Sequence, residues 1–348
     1  MKMTFRWYGP NDPVSLTQIR QIPTMTGVVT AVYDVPVGEV WPEEAICRLK
    51  DNAHANGLEM EVIESVPVHE DIKLHRGDCD RYIDNYCENI RRLAKHGVKC
   101  ICYNFMPVFD WLRTNLHTVA ADGSYSLSYR HEDILKLDPN ELSLPGWDES
   151  YTKDELRGLL QAYLGMTHEQ LFANYCTFLG RVLPVCEEVN MKLAVHPDDP
   201  PWDIFGLPRI LSTREDFERL FDTFKTPLCG VTFCTGSLGA GRENDLVQMA
   251  EDFSRMGRIH FAHIRQIAYE GELGFREVAH PTDCGSLDIY GIVKALVDGG
   301  FDGYVRPDHG RHIWGEAGKP GYGLFDHALG ATYVAGLFEA IEKGKHQA

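Results

Sequence analysis

Strand-like and helix-like runs alternate along this chain at intervals of roughly 30 residues, the length of one βα unit. Phe5–Tyr8 is a short strand candidate and Ser15–Gln21 a short helix. Gly27–Tyr33 (GVVTAVY) is a β-branched run and reads as a buried strand. Glu43–Asn56 is helical and closes at Gly57, a C-terminal cap signal. Leu58–Ile63 is the third strand. Cys79–His96 is a helix with Tyr82, Tyr86, Ile90 and Leu93 at helical spacing, closed by Gly97. Val98–Phe105 is the fourth strand. Strands then recur at Lys192–His196, Cys229–Cys234, Ile259–Ile264 and Tyr304–Arg306. Helices recur at Glu169–Asn190, Arg214–Thr223, Asp245–Arg255, Leu287–Asp298 and Asp326–Lys343. Eight strands and eight helices predict an α/β fold, a (β/α)8 TIM barrel forming one domain across residues 1–348. An open doubly wound sheet shares the alternation, but no Gly-rich dinucleotide fingerprint follows the first strand.

The rhythm breaks once. More than 80 residues separate Phe105 from Lys192. Thr118–Tyr129 holds Asp122-Gly123 between alternating residues, which predicts a hairpin with a type I′ turn. Leu144-Pro145-Gly146 reads as a loop. Residues 106–151 are therefore expected to be an insertion between the fourth and fifth strands, near the barrel mouth or in a subunit contact. The partner expectation is a homo-oligomer, a dimer or higher.

The ends of the last four strands carry the chemistry. His196 ends the fifth strand in VHPDDP, Cys234 the sixth in TFCTG and His263 the seventh in FAHIR. Asp308 follows the eighth, where Pro307 stops the ladder in GYVRPDHGRHIWGEAGKPGY (Gly303–Tyr322). The intervals of 38, 29 and 45 residues each suit one barrel unit. In a barrel these ends converge at the C-terminal mouth, where catalytic residues gather. Imidazole, thiolate and carboxylate together suit a first-row divalent metal. His260 lies three residues before His263 and points to the other face of its strand; Cys229 is out of phase with Cys234 in the same way. Cys100 and Cys102 share one strand face and read as core. Asp198 and Asp199 are either turn residues or outer partners of the cluster.

Charge narrows the partners. Lys plus Arg is 34 and Asp plus Glu 51, a net −17, which opposes binding to phosphate backbones and leaves no basic stripe for nucleic acid. The N-terminal MKMTFRWYG has no apolar run long enough for a signal peptide or membrane span. With the ten scattered cysteines read as reduced thiols, the expected location is cytoplasmic.

Several strings resemble the mannonate dehydratase family. They are VPVHEDIK (Val66–Lys73), CYNFMPVFDW (Cys102–Trp111), AVHPDDPP (Ala194–Pro201), GLPRI (Gly206–Ile210), FCTGS (Phe233–Ser237), HIR (His263–Arg265), RPDHG (Arg306–Gly310) and PGY (Pro320–Tyr322). They span nearly the whole chain. The resemblance implies a xylose-isomerase-like barrel with Mn²⁺ or Fe²⁺ on His196, Cys234, His263 and Asp308. It implies His309 and Tyr322 as the acid–base pair. The implied reaction is dehydration of D-mannonate to 2-keto-3-deoxy-D-gluconate, in hexuronate (glucuronate) catabolism.

That reaction removes the C2 proton and expels the C3 hydroxyl, so it needs a base, an acid and a stabiliser of carboxylate charge. Arg265 and Arg306 are candidates to pair with the carboxylate, or else are salt bridges of the barrel rim. Asn104 and His69, at or after strand ends, are candidates for hydroxyl contacts. A metal-dependent sugar isomerase or epimerase is the nearest rival. An abasic-site endonuclease is opposed by the charge, and a sugar-acid binding protein has no use for a thiolate beside two imidazoles.

Overall fold

Eight parallel strands close into a barrel in the computed structural model, which describes residues 1–137 and 151–345. In chain order the strands are β1 (Lys2–Arg6), β2 (Met25–Thr30), β3 (Glu59–Glu64), β4 (Cys100–Tyr103), β5 (Asn115–Val119), β6 (Tyr125–Arg130), β7 (Lys192–Val195), β8 (Cys229–Cys234), β9 (Ile259–Ile264), β10 (Gln266–Tyr269), β11 (Gly274–Val278) and β12 (Tyr304–Pro307). The barrel runs β1-β12-β9-β8-β7-β4-β3-β2, and a separate sheet runs β10-β11-β6-β5. The expected TIM barrel is present.

Two apolar layers hold it. Val29, Val62, Cys100, Cys102, Ala194, Phe261 and Tyr304 fill the barrel interior. A larger core lies between the strands and the surrounding helices and includes Ile63, Ile101, Leu193, Val231, Cys229 and Ile264. Alternate residues of each strand serve the two layers, as the two-residue side-chain period demands. Cys100 and Cys102 are core, as read from their spacing. The helix ends behave as their glycines suggest: Gly57 and Gly97 take φ of 70° and 88°, a left-handed conformation that closes each helix.

Four local readings change. The first strand lies at Lys2–Arg6 and not at Phe5–Tyr8, because Tyr8 N–H is captured by Asp12 Oδ2 (2.7 Å) in the following turn. Pro307 stays in the ladder opposite Ile264, and the Asp308 N–H makes the next bond to Ile264 O (3.1 Å). The turn of the β5–β6 hairpin is not type I′, which needs two residues at positive φ. Gly123 alone is left-handed (φ 82°), its N–H bonding Ala120 O at 3.0 Å, while Asp122 Oδ1 accepts from Ser124 N (3.0 Å). Strands β10 and β11 were unexpected; their mixed polar sequence looks like loop until it pairs with the hairpin. Leu144-Pro145-Gly146 lies outside the described residues.

Strand β6 runs antiparallel to β11, with Gly274 opposite Arg130 and Arg276 opposite Ser128. Tyr125, at the start of β6, also forms a two-bond bridge with His312, between Asp308 and Tyr322 (3.2 and 2.7 Å). Segments from three distant parts of the chain thereby meet over the C-terminal ends of the barrel strands. No described helix is long and apolar enough to cross a membrane.

Candidate active site

Register places the cluster. Cys234 on β8 and Arg306 on β12 both lie level with His263 on β9. His196 and Asp308 each follow their strand by one residue. Ligand atoms of His196, Cys234 and His263 lie within 4.8 Å of one another. Asp308 joins them, its Oδ2 3.5 Å from Cys234 Sγ and its Oδ1 4.0 Å from His263 Nδ1. His260 is absent from this group; it is buried with its ring against Gly230.

The cluster's charge state follows from its neighbours. Burial raises the Cys234 thiol, but the Arg265 guanidinium and His196 outweigh it and bring it down to about 5. Burial lowers His196, but Cys234 and Asp308 carry it up to about 9. Burial disfavours the Asp308 anion, yet Arg306, His309 and His263 hold the carboxyl well below the usual range. Near neutral pH the ion-free group thus holds a thiolate and a carboxylate beside a protonated His196, whose proton a bound cation would displace. His196 Nδ1 faces the carbonyl of Pro197 (2.7 Å), which leaves Nε2 for the cluster. Asp308 Oδ1 has no hydrogen-bond donor among the described residues, although Arg306 Nη2 is 2.8 Å away in ion-pair contact. A first-row divalent ion fits this donor set. A second triple, Glu64, Cys102 and His263, shares His263, but Arg306 bonds both Glu64 Oε1 and His263 Nε2 (3.1 Å each) and places its cation on that side.

Beside Asp308 stand His309 and Tyr322, in contact with each other. His309 Nε2 is 2.7 Å from the Tyr322 hydroxyl, and His309 Nδ1 is 2.8 Å from Glu277 Oε1. Burial raises the Tyr322 phenol, Arg306 pulls against it, and the result is about 12. Trp111 meets the His309 ring edge-on at 5.5 Å, and Tyr8 meets Tyr322 the same way at 5.1 Å.

The remaining candidates divide. Arg265 is wholly buried and its two terminal nitrogens are engaged: Nη2 with Asp199 Oδ2 (2.8 Å) and Ser237 Oγ (3.0 Å), Nη1 with Glu277 Oε1 (2.8 Å). Its Nε lies 3.3 Å from Asp308 in ion-pair contact. That Nε and Arg306 Nη1 both lack a hydrogen-bond partner among the described residues, but the unengaged nitrogen of Arg306 is a terminal one. Asn104 Oδ1 accepts from Met106 N (3.3 Å), within its own turn. His69 caps the helix Glu70–Leu74 and stacks on Tyr82, ring centroids 3.8 Å apart. Asp198 anchors the loop at Leu211 N (2.7 Å) and Ser212 Oγ (3.1 Å). Asp199 is an outer partner, bonded to Arg113 through both oxygens (2.8 and 3.0 Å) and to Arg265.

Sequence reasoning missed Arg113 and Glu277. Both are fully buried, and Arg113 also bonds Glu277 Oε1 through Nε (3.2 Å) and Nη2 (3.0 Å). The signal available for Glu277 was its place on the same strand face as Phe275, since a lone carboxylate on an apolar face needs a partner. Arg6 was missed too; its Nε and Nη1 lack hydrogen-bond partners among the described residues, and its guanidinium lies 4.9 Å from the Tyr8 ring centroid.

A family model of D-mannonate dehydratase (UxuA) matches residues 1–348. The chain belongs to that family. Mannonate dehydratase of Thermotoga petrophila is 54% identical over 357 residues, covering 99% of each chain. That of Thermotoga neapolitana is 54% identical over 359 residues, covering 100% of this chain and 99% of the relative. The crystal structure of mannonate dehydratase from Streptococcus suis serotype 2 matches with TM-score 0.92 and 44% identity, over 99% of this chain and 95% of that one. An L-ribulose 3-epimerase matches at TM-score 0.56 and 12% identity over 99% and 97%, a likeness of fold alone. The chain is accordingly a hydro-lyase of a metal-dependent family, and the isomerase or epimerase alternative is not favoured.

Proposed function

We propose that His196, Cys234, His263 and Asp308 hold Mn²⁺ or Fe²⁺, and that His309 and Tyr322 move the protons, in the conversion of D-mannonate to 2-keto-3-deoxy-D-gluconate and water. The observation that carries this reading is one of adjacency. The Tyr322–His309 pair, 2.7 Å apart, adjoins Asp308, which touches Cys234 and His263. A bound divalent ion supplies a Lewis acid for the negative charge that builds on the substrate's carboxylate end.

The side chains do the rest. His309 Nδ1 faces Glu277, so Nε2, the acceptor for the Tyr322 hydroxyl, is the basic nitrogen, and His309 is the base that takes the C2 proton. Tyr322 keeps its proton and gives it to the departing C3 hydroxide. Arg306, with Nη1 unengaged, pairs with the substrate carboxylate; Arg265 holds the surrounding anions in place. Asn104 and His69, held by their own turns, contact the substrate's far hydroxyls. The described part of the insertion, residues 106–137, acts as a cover over the mouth, a role supported by the Tyr125–His312 bridge. A homo-oligomer in the cytoplasm completes the proposal, read by sedimentation and by cell fractionation.

The deciding experiment incubates protein loaded with Mn²⁺ or Fe²⁺ with D-mannonate and follows the 2-keto-3-deoxy acid. Elemental analysis is expected to find about one ion per chain, weakened in Cys234→Ser. Product with neither metal, or full metal retention and activity in Cys234→Ser, overturns the metal assignment. In deuterated water, Tyr322→Phe should still exchange the C2 hydrogen while His309→Asn should not. The opposite pattern reverses the roles of the two.

A further inference from the structure

We infer that Glu277 is a positioning residue for this dehydration: it fixes which nitrogen of His309 faces the reacting proton. The inference rests on His309 acting in the reaction, as proposed above.

Glu277 reaches the site from outside the barrel. It sits on β11, and its backbone is tied to the inserted hairpin, where Ser126 Oγ donates to Glu277 O (2.7 Å). Three side chains crowd one of its oxygens. Glu277 Oε1 lies 2.8 Å from His309 Nδ1, 2.8 Å from Arg265 Nη1 and 3.0 Å from Arg113 Nη2. The other oxygen, Oε2, has no hydrogen-bond partner among the described residues.

Geometry assigns the His309 proton. Arg265 Nη1 is also 2.9 Å from His309 Nδ1, so two arrangements compete. If Nδ1 were the bare nitrogen, it would accept from Arg265 but set its lone pair against a carboxylate oxygen 2.8 Å away. If Nδ1 carries hydrogen, it and Arg265 both donate to that oxygen. The charged acceptor makes the stronger bond, so the second arrangement wins. Nε2 is then the acceptor for the Tyr322 hydroxyl, 2.7 Å away, and the nitrogen that gains or loses a proton. Two guanidiniums, Arg113 and Arg265, face two carboxylates, Asp199 and Glu277. That balance holds Glu277 ionised in a buried place, and burial keeps water from competing for its oxygen.

The lopsided use of the two oxygens makes the test clean. Glu277→Gln can leave its amide oxygen with the three side chains and turn its NH₂ toward the unused position, so it removes charge but keeps the acceptor. Glu277→Leu removes the acceptor as well. Loss of a partner that orients a catalytic imidazole typically costs on the order of 10- to 100-fold in activity. Glu277→Leu should therefore lose kcat by about that factor, with KM little changed and bound metal retained. Glu277→Gln should fall between it and the natural protein. Each variant is also made in a His309→Asn background. There, the further loss from Glu277→Leu should nearly vanish, because a residue that acts through His309 has nothing left to position.

An equal loss in both backgrounds overturns the inference while leaving His309 in the reaction. Near-normal turnover in His309→Asn alone overturns both the acid–base assignment and this inference. A rise in KM with kcat unchanged would make Glu277 a substrate-binding group and overturns it as well. If Glu277→Leu does not fold, the same cycle is read with Glu277→Gln, where a loss confined to the His309 background supports the inference and an additive loss overturns it.

Discussion

At the C-terminal end of the strands, Arg113, Arg265, Asp199 and Glu277 are each at most 1% exposed and answer one another's charge. At the N-terminal end, the Lys2 side chain is 53% exposed and its partner Glu61 22%, with Tyr304 donating to Glu61 Oε2 at 3.0 Å. Both ends carry ion pairs, but only the first takes them out of water. Burying two cations and two anions has a large desolvation cost, which fold stability alone does not require. Such charge is concentrated where reactivity must be controlled. The lower pairs are ordinary solvated contacts of a sheet edge, around a cavity of ≈ 120 Å³ lined by Thr4, Thr26, Glu59 and Tyr304 among others.

Four variants test this contrast, the largest effect first. Asp308→Asn should lose both bound metal and turnover, measured by elemental analysis and product formation; retention of either would remove Asp308 from the centre. Arg113→Met should destabilise the protein by about 3–5 kcal/mol in denaturant unfolding, since it leaves Asp199 and Glu277 with one guanidinium fewer in a dry place. A loss below ~1 kcal/mol would mean that the upper network behaves like a surface pair. Tyr322→Phe keeps ring packing and should keep metal and melting temperature, yet cut kcat by roughly 10²-fold, about 2.7 kcal/mol of barrier. Near-normal turnover would sink the acid role of Tyr322. Lys2→Ala should cost under ~1 kcal/mol and leave turnover unchanged, as exposed pairs do. A cost matching Arg113→Met would erase the difference between the ends.

The hairpin arm also shows how structure is shared between near and far. Asp122-Gly123 was legible as a hairpin because turn chemistry is local. Its turn type was not, because Gly123 alone took the left-handed conformation while Asp122 bonded Ser124 and reached Arg311 Nη1 at 3.0 Å. Strands β10 and β11 carried no clear signal, since their sequence gains strand character only against β6.

Periodicity was enough to determine the barrel, and strand-end position was enough to predict that His196, Cys234, His263 and Asp308 lie together. A period of two or 3.6 residues is a short-range property, and parallel βα units close in few ways. Which nitrogen of each guanidinium was engaged and which was open, and which carboxylate holds His309, were decided by tertiary structure alone. Arg113 and Glu277 stand 164 residues apart and His309 lies 32 residues beyond Glu277. No local pattern links them, because their contact exists only once the hairpin, β11 and the loop after β12 are folded over one end of the barrel.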